Sequence, residues 1–155
     1  MRTLFFISFL LTAISLSSQN WIKIAEDDKN SAILIDKESM VVRNEFIYVW
    51  VQIEYNDDEY KSEYVDEYLS ILKKYEFPNG IPQEELLKWI KFKYTLYYMI
   101  YDTKEKRSRT LSIVNFAQNG TILSKSDLDD SSKFEELEEG SLDELIVDEL
   151  PNYIN

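Results

Sequence analysis

Hydrophobic and polar residues alternate over several short stretches of this chain, most clearly over residues 46–55. One set of alternate positions there is entirely β-branched: Ile47, Val49, Val51 and Ile53. The other set begins with aromatic residues and ends with Gln52 and Glu54. Such period-two alternation is typical of a strand with one buried face. We expect the β-branched face to be core, and only the N-terminal half of the other face to be covered.

Other short runs predict further strands, separated by charged or Asn/Gly turns. The runs are residues 21–25, 31–36, 40–43, 91–102 and 107–116, with a tight corner at 37–39. In the last run the apolar phase changes between Ile113 and Val114, which a β-bulge would reconcile. Asn119-Gly120 predicts a hairpin turn before Ile122-Leu123, since both residues tolerate positive φ.

Two segments have helical spacing instead. In residues 61–75 apolar side chains recur every three or four positions, at Tyr64, Val65, Tyr68, Leu69, Leu72 and Tyr75. In residues 141–150 Ser141 and Glu144 predict a capping box, Leu142, Leu145, Ile146 and Leu150 form the apolar stripe, and Pro151 ends the helix. Pro82 can start one more helical turn through Leu86 and Leu87, and residues 124–140 are expected to be a polar loop.

These elements predict an α+β fold with a single antiparallel sheet of about five or six strands, a C-terminal helix and one inserted helix. One face of the sheet is expected to be buried under a helix. The other face is then available to a partner chain, including a second copy in a homodimer.

The N-terminal segment has the layout of a secretory signal peptide. Arg2 is followed by a nearly pure apolar run over residues 4–16 and by small residues at Ser15, Ser17 and Ser18. The run is too short for a membrane-spanning helix, which needs about twenty apolar residues. We therefore expect residues 1–18 to be a signal peptide, with cleavage after Ser17 or Ser18, and residues 19–155 to form one domain. The expected location is the periplasm, the cell surface or the medium, without a lipid anchor and without membrane insertion after cleavage.

Composition limits the chemistry that this domain can perform. The chain has neither cysteine nor histidine, which excludes thiol catalysis, disulfides, Ser-His-Asp triads and imidazole metal sites. It has 17 basic and 29 acidic residues and a net charge of −12. Such a charge disfavours nucleic acid, whose binding needs clustered Lys and Arg.

The remaining catalytic and metal-binding patterns are weak. Four serines, Ser39, Ser108, Ser112 and Ser141, lack a nucleophile-elbow context and are expected in turn, strand or cap roles. The acidic stretch at Asp127, Asp129 and Asp130 is a poor EF-hand match, because Ser132 replaces the central glycine. We expect no catalytic residue, no metal site and no cofactor.

Four tyrosines on one predicted strand form an aromatic cluster: Tyr94, Tyr97, Tyr98 and Tyr101. Tyrosine is enriched in binding interfaces, because it offers contact area together with a hydroxyl. By alternation, Tyr97 and Tyr101 share a face with Lys91 and Lys93, which suggests a partly exposed surface. A binding surface and ordinary strand packing both fit this pattern, and the binding residues remain unknown.

The chain resembles the surface-adhesin protein E-like family of small exported bacterial proteins. The similar pieces are Trp21-Ile22-Lys23-Ile24, Ile35-Asp36-Lys37-Glu38-Ser39, Tyr48-Val49-Trp50-Val51, residues 107–116, Asn119-Gly120-Thr121-Ile122-Leu123 and Gly140-Ser141-Leu142-Asp143-Glu144. Relatives carry cysteines near the positions of Thr103 and Tyr153, and a proline where Gly140 stands. The segment 61–87 is longer than usual. The resemblance implies a small antiparallel sheet packed against a C-terminal helix and, for the named member, adhesion to host extracellular-matrix proteins.

Together these features predict an exported, non-enzymatic binding or adhesion module of unknown ligand. The expected partner is an extracellular or envelope protein. One alternative is a periplasmic structural or envelope-associated protein without a ligand. A third reading is a glycan hydrolase that uses a pair of carboxylates, whose sign would be a deep cleft with two facing carboxyl groups.

Overall fold

The computed structural model describes residues 20–128 and 133–154. The predicted signal peptide, its cleavage site and two of the acidic candidates, Asp129 and Asp130, lie outside the described residues. Among the helices that the structure describes, none has the length and apolar character needed to cross a membrane.

The sheet is antiparallel throughout and six strands wide, which confirms the predicted fold class. Its strands are β1 (Trp21–Glu26), β2 (Ala32–Asp36), β3 (Val41–Arg43), β4 (Phe46–Glu54), β5 (Phe92–Asp102), β6 (Arg107–Ala117), β7 (Ile122–Asp127) and β8 (Glu135–Glu136). The order across the sheet is β1-β2-β4-β5-β6-β7. The short β3 continues the column of β2 along β4, and β8 continues the column of β7 along β6.

The helices are α1 (Asp58–Tyr75), α2 (Gln83–Trp89) and α3 (Leu142–Glu149). α1 begins three residues before its predicted start, because the Asp57 carboxylate accepts a hydrogen bond from the Tyr60 amide at 2.8 Å and caps it. The turn predicted at Pro82 is a second inserted helix, so two helices lie between β4 and β5 instead of one. Pro151 does not end the helical path, since a 3₁₀ turn follows over Leu150–Tyr153 with proline in its first turn.

All three helices pack on the same face of the sheet and enclose the main core. The β-branched face of β4 is 0–8 % exposed, as predicted, and it meets Trp89, Ile146 and Leu150 from the helix layer. The stripe on α1 is confirmed from Tyr64 to Leu72. Tyr75, predicted to be part of that stripe, is instead 70 % exposed, because it lies in the last turn of the helix.

The opposite face of the sheet carries a smaller cluster built from strand residues alone. The prediction that only the N-terminal half of this face of β4 is covered was wrong. Gln52, in the C-terminal half, is 8 % exposed. It lies in register between Leu34 on β2 and Leu96 on β5, and its amide donates to the Glu54 carboxylate at 2.7 Å. Neighbouring strands therefore cover it.

Residues 124–140, predicted to be a loop, include the last four residues of β7 and all of β8. Both are polar strands that pair with the backbone of β6, and the solvent-facing side of an edge strand needs no apolar residues. A bulge does occur in β6, at Leu111, which the register with β5 skips. It does not reconcile Ile113 with Val114, because these two alternate regularly opposite Tyr97 and Leu96 and so lie on opposite faces of the sheet. The predicted hairpin turn also forms, although only Gly120, at φ +80°, takes up positive φ.

Candidate functional site

The face of the sheet opposite the helices, called here the open face, presents aromatic side chains from four strands. Trp50 on β4 stacks on Tyr98 of β5, with ring centroids 5.0 Å apart and an interplanar angle of 27°. Tyr94 on β5 stacks on Phe116 of β6 at 4.9 Å and 10°. Trp21 on β1 packs against the same cluster. Within residues 20–128 and 133–154, this cluster is made by strand residues only, so its half-buried rings border solvent.

Strand register explains this arrangement. Trp50 faces Tyr98 directly across β4 and β5, and Tyr94 faces Phe116 across β5 and β6. Such directly opposed side chains lie about 5 Å apart, close enough for their rings to stack. Leu96 and Val114 lie opposite each other between these pairs and are 8 % and 7 % exposed. The rings are therefore held by an apolar base instead of projecting freely.

Charge is nearly balanced on the open face, although the whole chain is strongly acidic. Across β1 to β8 the strand register gives this face five basic residues, Lys23, Arg43, Arg107, Arg109 and Lys125, and six acidic ones, Glu26, Asp36, Glu54, Asp102, Asp127 and Glu136. Several are paired, including Arg107 with Asp102 at 2.9 Å and Lys125 with Asp127 at 3.1 Å. Much of the negative charge therefore lies elsewhere, on α1, α3 and the turns.

The structure divides the predicted tyrosine cluster between the two faces. Tyr94 and Tyr98 lie on the open face, whereas Tyr97 and Tyr101 lie in the core, where Tyr101 is 0 % exposed. The expectation of partial exposure was therefore wrong for Tyr101, whereas Tyr97 is partly exposed. The cause is a bulge between Phe92 and Tyr94, which shifts the phase of the strand and separates the lysines from these tyrosines.

A second candidate is a cavity of about 320 Å³ on the helix side, called here the α3 cavity. Its floor is formed by β4, β5 and β6, one wall by residues 135–138, and the other by the first turns of α3. Asp143 lies at its edge. The carboxylate of Asp143 accepts hydrogen bonds from the Tyr101 hydroxyl at 3.1 Å and from the Ser108 hydroxyl at 2.5 Å. Burial, followed by the charge of Asp143, raises the pKa of Tyr101 well above its ordinary value, so its hydroxyl remains a donor.

The four candidate serines have the turn, strand and cap roles that were predicted. Ser39 lies in a 3₁₀ turn and donates to the Asp36 carbonyl, and Ser141 caps α3 by accepting from the Glu144 amide at 3.2 Å. Ser108 and Ser112 lie on β6 and donate to Asp143 and Asp127.

Of the acidic metal candidates, Asp127 is the one that the structure describes. Its carboxylate is engaged by Ser112 and Lys125, which lower its pKa. In the described ranges no three acidic side chains converge in an arrangement that could hold a metal ion.

Comparison with known proteins adds one finding. Residues 21–78 match the family described as Surface-adhesin protein E. This match confirms the resemblance noted in the sequence over that stretch, which is less than half of the 155 residues. It runs from β1 to just beyond α1, so it contains Trp21 and Trp50 but not Tyr94, Tyr98 or Phe116. No curated protein and no solved structure matches the chain.

Sequence reasoning missed the α3 cavity, which depends on how residues 135–138 and α3 meet the sheet, and no local pattern encodes that packing. It also missed a core residue outside both sites. Trp89, at the end of α2, is 2 % exposed and could have been found, because it lies in the helical segment after Pro82 and precedes a strand.

Proposed function

We propose that this protein is an exported, non-enzymatic adhesion-type surface protein whose open face binds a protein of the host matrix or of the bacterial envelope. The observation that carries the proposal is the pair of stacked aromatic contacts on a sheet face that none of the described helices covers. The family match over residues 21–78 supports an adhesion-type role.

A partner that covers the open face would restrict few side chains that are still free to move. Tryptophan and tyrosine dominate the energetics of many protein interfaces, because each buries a large area with few rotatable bonds. The open-face rings are already stacked on neighbours, so little side-chain freedom is lost when a partner covers them. The nearly balanced charge of this face also reduces the repulsion that the acidic helix side would impose on an acidic partner.

The non-enzymatic part of the proposal rests on residue types and carboxyl chemistry. The chain lacks Cys and His. The described carboxyl groups with a shifted pKa, which are Asp58, Asp102 and Asp127, are all shifted downward, toward the charged form. A catalytic acid needs the opposite shift.

The test is a solid-phase binding assay of the purified protein against a panel of extracellular-matrix proteins. We expect saturable binding to at least one of them, and we expect Trp50→Ala with Tyr98→Ala to weaken it by about tenfold or more, the cost of losing an aromatic hot spot. The matched control is Tyr75→Ala, because Tyr75 is an exposed aromatic residue on α1, on the helix side. Circular dichroism of all variants checks that the sheet is intact.

Two results would contradict the proposal: absence of binding to every matrix and envelope protein tested, or equal losses in the open-face and Tyr75 variants. Sedimentation of the purified protein separates a further outcome, in which a second copy of the chain occupies the open face. Protease treatment of intact cells that produce the full chain tests the location, since a surface protein is cleaved and a periplasmic one is protected.

A further inference from the structure

We propose that the α3 cavity binds a small organic cation, namely a primary amine attached to an apolar body. This site lies on the helix side of the sheet and is independent of the adhesion function proposed for the open face. The inference rests on the size of the cavity, its apolar floor and the sign of the charge around it.

The cavity has the size and lining of a small-molecule site. Its volume of about 320 Å³ falls at the lower end of the range for ligand pockets, about 300–1,000 Å³. Val51, Met99 and Tyr97 contribute to the floor, and Leu137, Leu142 and Ile146 contribute to the walls. An apolar group placed there would be removed from water on the sides that face this floor and these walls, which favours binding in proportion to the area buried.

The negative charge of the cavity lining favours a ligand whose polar end is positively charged. Four acidic residues line the cavity, Glu135, Glu136, Glu138 and Asp143, and its described lining includes no basic residue. Two basic side chains, Arg109 and Lys133, line an adjoining depression that shares Ser108, Thr110, Glu135 and Asp143 with the cavity. An ammonium group beside these carboxylates gains charge-assisted hydrogen bonds, whereas a carboxylate ligand would be repelled.

Asp143 is the fixed member of this acidic lining. Its two carboxylate oxygens are held by the hydroxyls of Tyr101 and Ser108, and Tyr101 is 0 % exposed. Each oxygen keeps a second lone pair that can accept from an ammonium group. Because Asp143 is positioned before a ligand arrives, binding would cost little side-chain ordering.

The experiment uses 2-phenylethylamine as the probe and the purified full chain as the receptor, with isothermal titration calorimetry as the readout. We expect binding of the amine, and affinities weaker by about tenfold or more for 2-phenylethanol and 3-phenylpropionate, which keep the apolar body but lack the positive charge. In methyl NMR spectra the signals of Met99, Leu137 and Leu142 should shift with the amine. Binding of the alcohol as tight as that of the amine, or no shift of these methyl signals at millimolar amine, would overturn the proposal.

Two substitutions test whether the carboxylate of Asp143 contacts the ammonium group of the ligand. Asp143→Asn keeps an oxygen that can accept from Tyr101 and Ser108, and it should weaken amine binding by about fivefold or more. Asp148→Asn, an exposed acid on the same helix, should leave the affinity unchanged and serves as the matched control. If Asp143→Asn disturbs folding, Glu138→Gln replaces it, and the comparison of amine with alcohol on the unmodified protein decides the question without any variant.

Discussion

At the scale of single residues, Asn115 joins the helix layer to the sheet. It is 1 % exposed, and its side-chain oxygen accepts from the Tyr64 hydroxyl at 2.8 Å and from the Thr95 hydroxyl at 2.7 Å. Its amide nitrogen donates to the Ser124 hydroxyl at 2.9 Å. One buried amide therefore satisfies three hydroxyls from α1, β5 and β7. Buried polar groups of this kind are costly when they lose a partner.

Removing different members of this network should have unequal effects. Tyr64→Phe leaves Asn115 with the Thr95 donor, so we expect a loss of about 1 kcal/mol in the free energy of unfolding. Asn115→Ala leaves three hydroxyls without their partner and should cost about 3 kcal/mol. Urea unfolding followed by circular dichroism measures both, with Tyr75→Phe on the exposed side of α1 as the control. Equal losses for Tyr64→Phe and Asn115→Ala would contradict this account.

The lowered pKa of the Asp102 carboxylate makes the free energy of unfolding depend on pH in the acid range. Asp102 is 1 % exposed, and this burial opposes its charge. Hydrogen bonds from the Glu105 amide at 3.0 Å and from Arg107 at 2.9 Å outweigh the burial and lower its pKa. Because the pKa is lower in the folded protein, the contribution of Asp102 is complete above the unfolded value of about 3.9 and is lost as the pH falls through the folded value.

We therefore expect Asp102→Asn to reduce the difference in unfolding free energy between pH 7 and pH 3. Urea unfolding at the two pH values measures this difference. Asp148→Asn, an exposed substitution on α3, should leave it close to that of the unmodified protein. The account fails if Asp102→Asn retains the full acid dependence.

At the scale of elements, α3 is short but well anchored. Ser141 caps its first turn, and the Glu144 carboxylate accepts from the Gly140 amide at 2.7 Å, so the predicted capping box forms with its return bond one residue earlier. Ile146 and Leu150 on the next turns are 1 % and 0 % exposed. The cap and the apolar stripe together hold the wall of the α3 cavity.

Ser141→Ala should lower the free energy of unfolding by about 1 kcal/mol, the usual value of an N-cap. Ser141→Asp supplies another capping oxygen and should retain most of the stability. Urea unfolding distinguishes them. If alanine and aspartate destabilise the protein equally, the Ser141 hydroxyl is not acting as a cap.

The same elements show which parts of the fold can be predicted from the sequence and why other parts cannot. The alternation of apolar residues in β4 and their three- and four-residue spacing in α1 each predict a buried face. Each spacing matches the period of its element, so the apolar side chains all fall on one side of the strand or helix, and that side packs on the core. β7 and β8 carry no such period, and they form because β6 offers unpaired backbone groups. Tyr101 was expected on a partly exposed face with Lys91 and Lys93, because alternation alone does not reveal the bulge between Phe92 and Tyr94. A single bulge reverses the phase of every later residue in a strand.

At the scale of the whole molecule, the core holds an unusual share of tyrosine hydroxyls. Burial is the largest cause that raises the pKa of Tyr55, Tyr97 and Tyr101. These groups favour the neutral form in the folded protein. Their contribution to stability is therefore complete below the unfolded pKa of about 10 and is lost as the pH rises through the folded values.

Alkaline titration of the folded protein should consequently leave part of its 11 tyrosines un-ionised. Absorbance at alkaline pH, compared with that of the urea-unfolded chain, measures the missing fraction. Tyr97→Phe should reduce the missing amplitude by one tyrosine, whereas Tyr75→Phe should leave it unchanged. A titration curve of the folded protein that coincides with that of the urea-unfolded chain would contradict the burial of these hydroxyls.

The division of the three tryptophans between the two sides of the sheet gives the molecule a built-in optical probe. Trp21 and Trp50 lie on the open face, whereas Trp89, at the end of α2, packs against Tyr68 of α1 and is 2 % exposed. A water-soluble quencher should therefore reach the emission of the first two and spare that of Trp89. A partner on the open face would shield that quenchable emission, while an amine in the α3 cavity, which no tryptophan lines, would leave it unchanged.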